Sequence, residues 1–150
     1  MEIQVKINGK LVKDTVEPDT LLIDFLRSHG CYSVKRGCET SNCGLCTVWM
    51  DGKPILSCSL LAVRAHEHEV TTLEGLVEEL KIFADFMANE GAEQCGFCSP
   101  GLIMNVLAME RELLHPTREE ILEYLAGNLC RCTGYMAQMR AIEKYLNRGE

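Results

Sequence analysis

Nine cysteines, Cys31, Cys38, Cys43, Cys46, Cys58, Cys95, Cys98, Cys130 and Cys132, constrain this chain more than any other feature. At 6% of 150 residues they would build a disulfide framework in an exported protein. Here only Met1 and Glu2 precede the alternating Ile3, Val5 and Ile7, so no basic leader with an apolar run is present. No window approaches the roughly 18 apolar residues of a membrane span. The expectation is a soluble, cytoplasmic protein whose thiols stay reduced and bind metal.

The apolar pattern changes period once along the chain. Ile3, Val5 and Ile7 alternate with polar residues, Asn8-Gly9 is a tight-turn signal, and Leu11 and Val12 begin the return strand of a hairpin. Asp19 or Thr20 is positioned to cap a short helix carrying Leu21, Leu22, Phe25 and Leu26, with Gly30 as its stop. Thr47 to Met50 and Ile55 to Cys58 flank Asp51-Gly52 as a second hairpin, and Val70 to Thr72 supplies a last short strand. From Thr71 the spacing turns helical. Thr71 with Glu74 resembles a capping box ahead of Leu73, Leu76, Val77 and Leu80. Further helices are expected over Ile82 to Gly91, from Ser99-Pro100-Gly101 through Leu107, from the Thr117/Glu120 capping box toward Gly127-Asn128, and from Tyr135 to Leu146. The expected class is α+β, with residues 1–73 forming a compact α+β domain and 74–150 an all-helical one of about four helices.

In the first cysteine set, Cys38, Cys43 and Cys46 are spaced Cys-x4-Cys-x2-Cys, and Cys58 follows at the end of the second hairpin. One polar loop, residues 37–46, can wrap a small cluster and aim backbone N–H groups at its sulfurs. Gly37 and Gly44 permit close approach or positive φ, and Asn42 tolerates a left-handed turn. The spacing is that of plant-type ferredoxins, which favours iron-sulfur over structural zinc; inert core cysteines fit a polar glycine-bearing loop poorly.

In the second set, Cys95-Gly96-Phe97-Cys98 precedes a predicted helix and Cys130-Arg131-Cys132 lies between two. Positive helix ends and Arg131 favour an anionic cluster. By spacing alone, zinc suits this set nearly as well as iron-sulfur.

Read together, Gln94-Cys95-Gly96-Phe97-Cys98-Ser99-Pro100-Gly101 and Gly127-Asn128-Leu129-Cys130-Arg131-Cys132-Thr133-Gly134-Tyr135 resemble the signatures of the iron-sulfur subunit of the molybdenum hydroxylases. That family includes xanthine dehydrogenase, aldehyde oxidoreductase, nicotinate dehydrogenase and carbon monoxide dehydrogenase. Val70 to Leu76 also resembles its interdomain segment. The resemblance implies a β-grasp ferredoxin domain followed by a four-helix domain, each with one 2Fe-2S cluster. Cys38, Cys43, Cys46 and Cys58 would bind the first, facing a flavin; Cys95, Cys98, Cys130 and Cys132 would bind the second, near molybdopterin. Gln94 would hydrogen-bond the pterin, with Cys132 close to it. The first loop departs from the family at Ser41, where glycine is usual, and at Glu39, where it is frequent.

The function so implied is electron transfer within a heteromeric oxidoreductase. Electrons would pass one at a time from molybdopterin on a large subunit, through the two clusters, to FAD on a medium subunit, in a dimer of heterotrimers or a similar hetero-oligomer. This chain would bind no substrate. A free-standing two-cluster ferredoxin and a zinc-stabilised interaction module are the alternatives. No dinucleotide-binding glycine loop, phosphate-binding lysine motif or nucleophile elbow occurs in the chain, so flavin and molybdenum belong on partners.

The acidic excess reads as a solvated face. Residues 1–73 carry a net -1 and residues 74–150 a net -6, with no basic stripe, which argues against nucleic acid. Cys31 falls outside both sets and reads as a small buried or partly exposed residue. His66-x-His68 reads as a solvated loop rather than a metal pair. Met104, Met109, Met136 and Met139 read as core or interface filling, and Trp49 and the tyrosines carry no separate functional signal.

Overall fold

The computed structural model describes residues 1–149. Five strands form one mixed sheet: β1 (Glu2–Ile7), β2 (Lys10–Thr15), β3 (Thr47–Met50), β4 (Lys53–Leu56) and β5 (Glu69–Thr71), in the order β2-β1-β5-β3-β4. Only the β1/β5 pair is parallel. Both hairpins turn where asparagine or aspartate precedes glycine. Asn8 and Gly9 have φ of 48° and 80°, Asp51 and Gly52 of 50° and 81°, as the two-residue turn matching the strand twist requires. Pro54 sits on edge strand β4, where its missing N–H is tolerated.

Period two in β1 buries Ile3, Val5 and Ile7 against α1 (Leu22–Ser28), which turns Leu22, Ile23, Phe25 and Leu26 inward. Each such side chain removed from water contributes roughly 1.5–3 kcal/mol. The cap of α1 differs from expectation: Leu21 occupies it with no side-chain hydrogen bond. Leu21 instead bridges to Leu61, which ties the helix start to the segment after the second hairpin.

The second half is helical: α2 (Val77–Asn89), α3 (Ser99–Glu112), α4 (Arg118–Tyr124) and α5 (Met136–Leu146). The two helices expected over Leu73 to Gly91 are one, because no breaker separates Leu80 from Ile82. The expected Thr71/Glu74 capping box is not formed. Leu73–Gly75 is a single 3-10 turn, and the Glu74 carboxylate accepts hydrogen bonds from Thr72 Oγ1 at 2.6 Å, Ser33 Oγ at 2.6 Å and Ser33 N–H at 2.8 Å. The Thr117/Glu120 capping box is present. Its helix ends at Tyr124, short of Gly127, and α3 is capped by Cys98 rather than Ser99.

Two cores result. One packs α1 on the sheet; the other gathers Phe83, Met87, Met104, Val106, Leu107, Met109, Ile142 and Tyr145 from α2, α3 and α5. Trp49 belongs to the second although it lies on β3: its Nε1–H donates to Met104 O at 2.9 Å across the junction. Among the described residues no helix is long and apolar enough to cross a membrane.

Candidate metal centres

The first cysteine loop joins α1 to β3. Its sharpest turns fall at Gly44, with φ of 76°, and at Ser41, with φ of 58°; the positive φ expected at Asn42 is at Ser41 instead. Gly37 serves by closeness, since a Cβ there would stand 2.6 Å from Leu45 Cδ2. Cys43 and Cys46 are buried and Cys38 is half-buried. Cys58 lies on the 3-10 turn Ser57–Ser59, just beyond β4. Ser57 fixes that turn by donating from both Oγ (2.7 Å) and N–H (3.2 Å) to Cys46 O, which leaves the sulfurs of Cys46 and Cys58 3.2 Å apart. Cys43 is close enough to help lower the Cys38 thiol.

Ionisation differs sharply within this set. Backbone N–H groups of Asn42 and Thr40 pull the Cys38 thiol down to about 6. Burial pushes Cys43 up, and burial together with Cys58 pushes Cys46 up to about 11.

The second set comes from two chain segments. Cys95 and Cys98 lie on the turn before α3, with Gly96 at φ 72°, and Cys130 and Cys132 lie in the loop before α5. Cys95 and Cys132 sulfurs are 3.4 Å apart, and Cys130 stands close enough to Cys98 to oppose its ionisation. Thr133 Oγ1 donates to Cys130 Sγ at 3.1 Å. Burial opposes ionisation of Cys130, but the Thr133 hydroxyl and N–H outweigh it and bring the thiol down to about 7. Burial and the neighbouring Cys130 push Cys98 up to about 11, while Gln138 Nε2 stands 3.8 Å from its sulfur. Tyr135, at φ 69°, points its hydroxyl back to accept from the Cys130 N–H at 3.0 Å.

The sulfur separations are too long for disulfides, whose bond is near 2.05 Å, and all nine cysteines are free. Among the described residues, no three Cys, His, Asp or Glu side chains gather closely enough to hold one ion. In each set one pair of sulfurs closes together, Cys46 with Cys58 and Cys95 with Cys132. Thiols set in pairs fit a two-iron cluster, in which each iron takes two protein sulfurs.

Both sets open onto one cleft of about 410 Å3, lined by Cys38 and Cys43 on one side and by Cys95, Cys98, Cys130 and Cys132 on the other. The loops touch through backbone. Leu129 N–H donates to Cys43 O at 2.9 Å, so a single hydrogen bond links Cys43 to the residue preceding Cys130. Small residues make this approach possible: a Cβ at Gly101 would meet Gly44 O at 2.3 Å, and one at Gly44 would meet Gly127 O at 2.5 Å. Asn105 Nδ2 completes the seam, donating to Thr47 Oγ1 at 3.2 Å and to Asn128 Oδ1 at 2.9 Å.

Gln94 is exposed beside Cys95, and Cys132 is exposed. Cys31 is buried in the core of the first half, apart from both sets. His66 and His68 are used singly: His66 Nδ1 accepts from Gln4 N–H at 3.0 Å, and His68 Nδ1 pairs with Asp51 Oδ2 at 2.5 Å. Met104, Met109 and Met139 are buried, whereas Met136 is exposed. Five residues that touch or orient the sulfurs were given no such role from the sequence: Ser57, Ser59, Thr133, Tyr135 and Gln138. Gln138 carried a signal, being a polar residue on the apolar stripe of the last helix, and it is 4% exposed.

Comparison with known proteins gives a consistent result. Residues 5–73 match the family model described as a 2Fe-2S iron-sulfur cluster binding domain, and residues 72–143 match a [2Fe-2S] binding domain. The chain is 40% identical over 149 residues to the nicotinate dehydrogenase small FeS subunit of Eubacterium barkeri, covering 97% of this chain and 95% of that one. It is 46% identical over 140 residues to the xanthine dehydrogenase iron-sulfur-binding subunit of Escherichia coli O157:H7, covering 89% and 86%. In the crystal structure of quinoline 2-oxidoreductase from Pseudomonas putida 86, a chain 40% identical superimposes with a TM-score of 0.87, covering 100% of this chain and 98% of that one.

Proposed function

This chain belongs to the 2Fe-2S small subunits of the molybdenum hydroxylases, and from that membership we propose that it relays electrons, one at a time, from molybdopterin on a large subunit to FAD on a medium subunit. It is the electron-transfer subunit of an oxidoreductase complex and carries two 2Fe-2S binding domains. Residues 1–73 form the ferredoxin-like domain and residues 74–150 the helical one in this reading. Cys38, Cys43, Cys46 and Cys58 hold one cluster; Cys95, Cys98, Cys130 and Cys132 hold the other. When bound, each cluster supplies a site that stores a single electron.

The chain's own residues fix the separation of the two sites and the polarity around them. The observation that carries the proposal is the Leu129 N–H to Cys43 O bond, which joins the two cysteine loops by one short contact. Thr133 and Gln138 direct polar hydrogens toward Cys130 and Cys98, which favours the extra negative charge of a reduced centre. Gln94 and Cys132 stand on the exposed edge, where Gln94 hydrogen-bonds the pterin in this reading. Phe97, Leu129, Tyr135 and Met136, each 41–58% exposed, surround that edge and suit a protein partner rather than water. The large subunit covers this face, the FAD-bearing subunit lies nearer Cys58, and the whole assembles as a dimer of heterotrimers.

Purification of the complex from its native source tests the reading. Four irons and four acid-labile sulfides per chain are expected, with two distinct paramagnetic centres on full reduction and with molybdenum and flavin subunits in fixed ratio. A colourless zinc protein, or a chain that purifies alone with its clusters, overturns it.

A further inference from the structure

We propose that Ser41 and Ser59 form a hydroxyl pair that raises the reduction potential of the N-terminal cluster through one O–H···S hydrogen bond to Cys58. The proposal rests on Cys58 being a ligand of that cluster. Ser41 holds a φ of 58°, a backbone conformation more readily taken by glycine, and a non-glycine residue is kept there only where its surroundings over-determine it. What surrounds it is the turn bearing Cys58. Ser59 Oγ donates to Ser41 Oγ at 2.6 Å; the Cys58 thiol donates to Ser41 Oγ at 3.8 Å and stands 3.6 Å from Ser59 Oγ, where either atom can donate.

Proton counting decides what the pair can do. Each hydroxyl carries one hydrogen. Ser59 donates to Ser41, so the Ser41 hydrogen is uncommitted. Once Cys58 has given up its proton to act as a ligand, its S–H to Ser41 contact has no hydrogen of its own and the Ser41 hydroxyl can turn to donate along it. A reversed Ser41 to Ser59 bond would free the Ser59 hydrogen instead. A ligating thiolate only accepts. Either arrangement therefore leaves one O–H for Cys58, and removing one serine leaves the other able to serve. Reduction adds negative charge that the sulfurs share, so a hydrogen bond to Cys58 is stronger in the reduced state and favours it. Glycine at position 41 would allow the same turn without the second hydroxyl.

The test is a redox titration of the complex with dithionite, following the paramagnetic signals of the two centres separately. In the double variant S41G/S59A the reduced-to-oxidised ratio of the N-terminal centre at a fixed poise falls about tenfold, equivalent to about 59 mV for one electron. The centre in the helical half does not move. Each single variant gives well under half of that shift, because the remaining hydroxyl takes over, and S41G/S59T, which keeps one hydroxyl, returns the ratio to within threefold of the wild-type value. A double variant within twofold of wild type overturns the proposal. So does loss of the N-terminal centre in either double variant, since the hydroxyls would then be holding the cluster rather than tuning it. A wild-type chain that lacks that centre refutes the ligand assignment instead.

Discussion

In the N-terminal half, Cys43 and Cys46 are buried, three of the four cysteines lie within nine residues, and backbone N–H groups reach the Cys38 sulfur. In the helical half, Cys95 and Cys132 are exposed, and the four cysteines come from two segments more than thirty residues apart. The first site is thus built mostly by the local course of one loop, with a single long-range addition in Cys58. The second is built by the packing that holds the start of α3 beside the start of α5. A site assembled by a core inherits that core's stability, whereas a site assembled by a loop depends on its own turns. The exposed pair also suits an edge that a partner completes.

The largest expected effect separates the two sites outright. Cys46→Ser removes the N-terminal centre and leaves the helical one; Cys98→Ser does the reverse. Each variant should keep half of the iron and sulfide and one of two paramagnetic signals. If either substitution abolished both signals, the independence of the two sites would be broken.

Next in size is a purely structural substitution in the helical core. Phe83 is fully buried in the helical core, its ring 4.9 Å from that of Tyr145. Phe83→Ala should cost about 3–5 kcal/mol through lost burial and the cavity left behind. Because α2 and α5 pack there, the helical-half centre should be lost at a lower temperature than the N-terminal one, visible as two separated bleaching steps. Simultaneous bleaching would mean that the halves melt as one unit.

The seam between the halves gives a smaller and more specific test. Gly101→Ala drives a Cβ to 2.3 Å from Gly44 O and 2.9 Å from Leu45 Cα, both backbone atoms that cannot swing aside. A loss of about 1–3 kcal/mol is expected, with slower electron exchange between the two centres as Leu129 and Cys43 separate. Gly127→Ala is the control: nothing lies within 4 Å of its Cβ and its φ is not positive, so its melting temperature should stay near wild type.

Much of this was legible in residue order, for identifiable reasons. Asn8-Gly9, Asp51-Gly52 and the Thr117/Glu120 box are short-range devices whose outcome is decided within four residues. The cysteine spacings carry the same kind of local information, so the loop at 37–46 could be drawn before the fold. Long-range contacts were not legible. Glu74 looked like a cap for its own helix, yet its carboxylate is taken by Ser33, 41 positions away. Trp49 sat in an ordinary strand pattern, and only the tertiary fold sends its indole into the helical core. Ser41 rather than Asn42 takes the left-handed turn because the partner that fixes it, Ser59, lies on another segment. The Leu129 to Cys43 bond has no sequence signal, since any residue but proline supplies a backbone N–H.

The smallest effect concerns the bond between the first cysteine loop and the junction of the two halves. Burial pushes the Glu74 carboxyl up, but hydrogen bonds from Ser33 and Thr72 outweigh it and hold the group below its ordinary value of 4.5. A carboxylate depressed in the folded state contributes stability that is fully present above its unfolded pKa and is lost as pH falls through its folded pKa. Glu74→Gln should therefore lower the urea midpoint at pH 6–7, by an amount equivalent to about 0.5–1 kcal/mol once solvent screening of this exposed side chain is allowed for. The gap should begin to close below pH 4.5, because the wild-type group then takes up its proton. Trp49, the only tryptophan in the chain, reports the transition by fluorescence from inside the helical core. A gap that stayed constant from pH 7 through pH 3 would show that Glu74 acts by shape rather than charge. The turn at Leu73–Gly75 would then owe nothing to the ion that Ser33 and Thr72 surround.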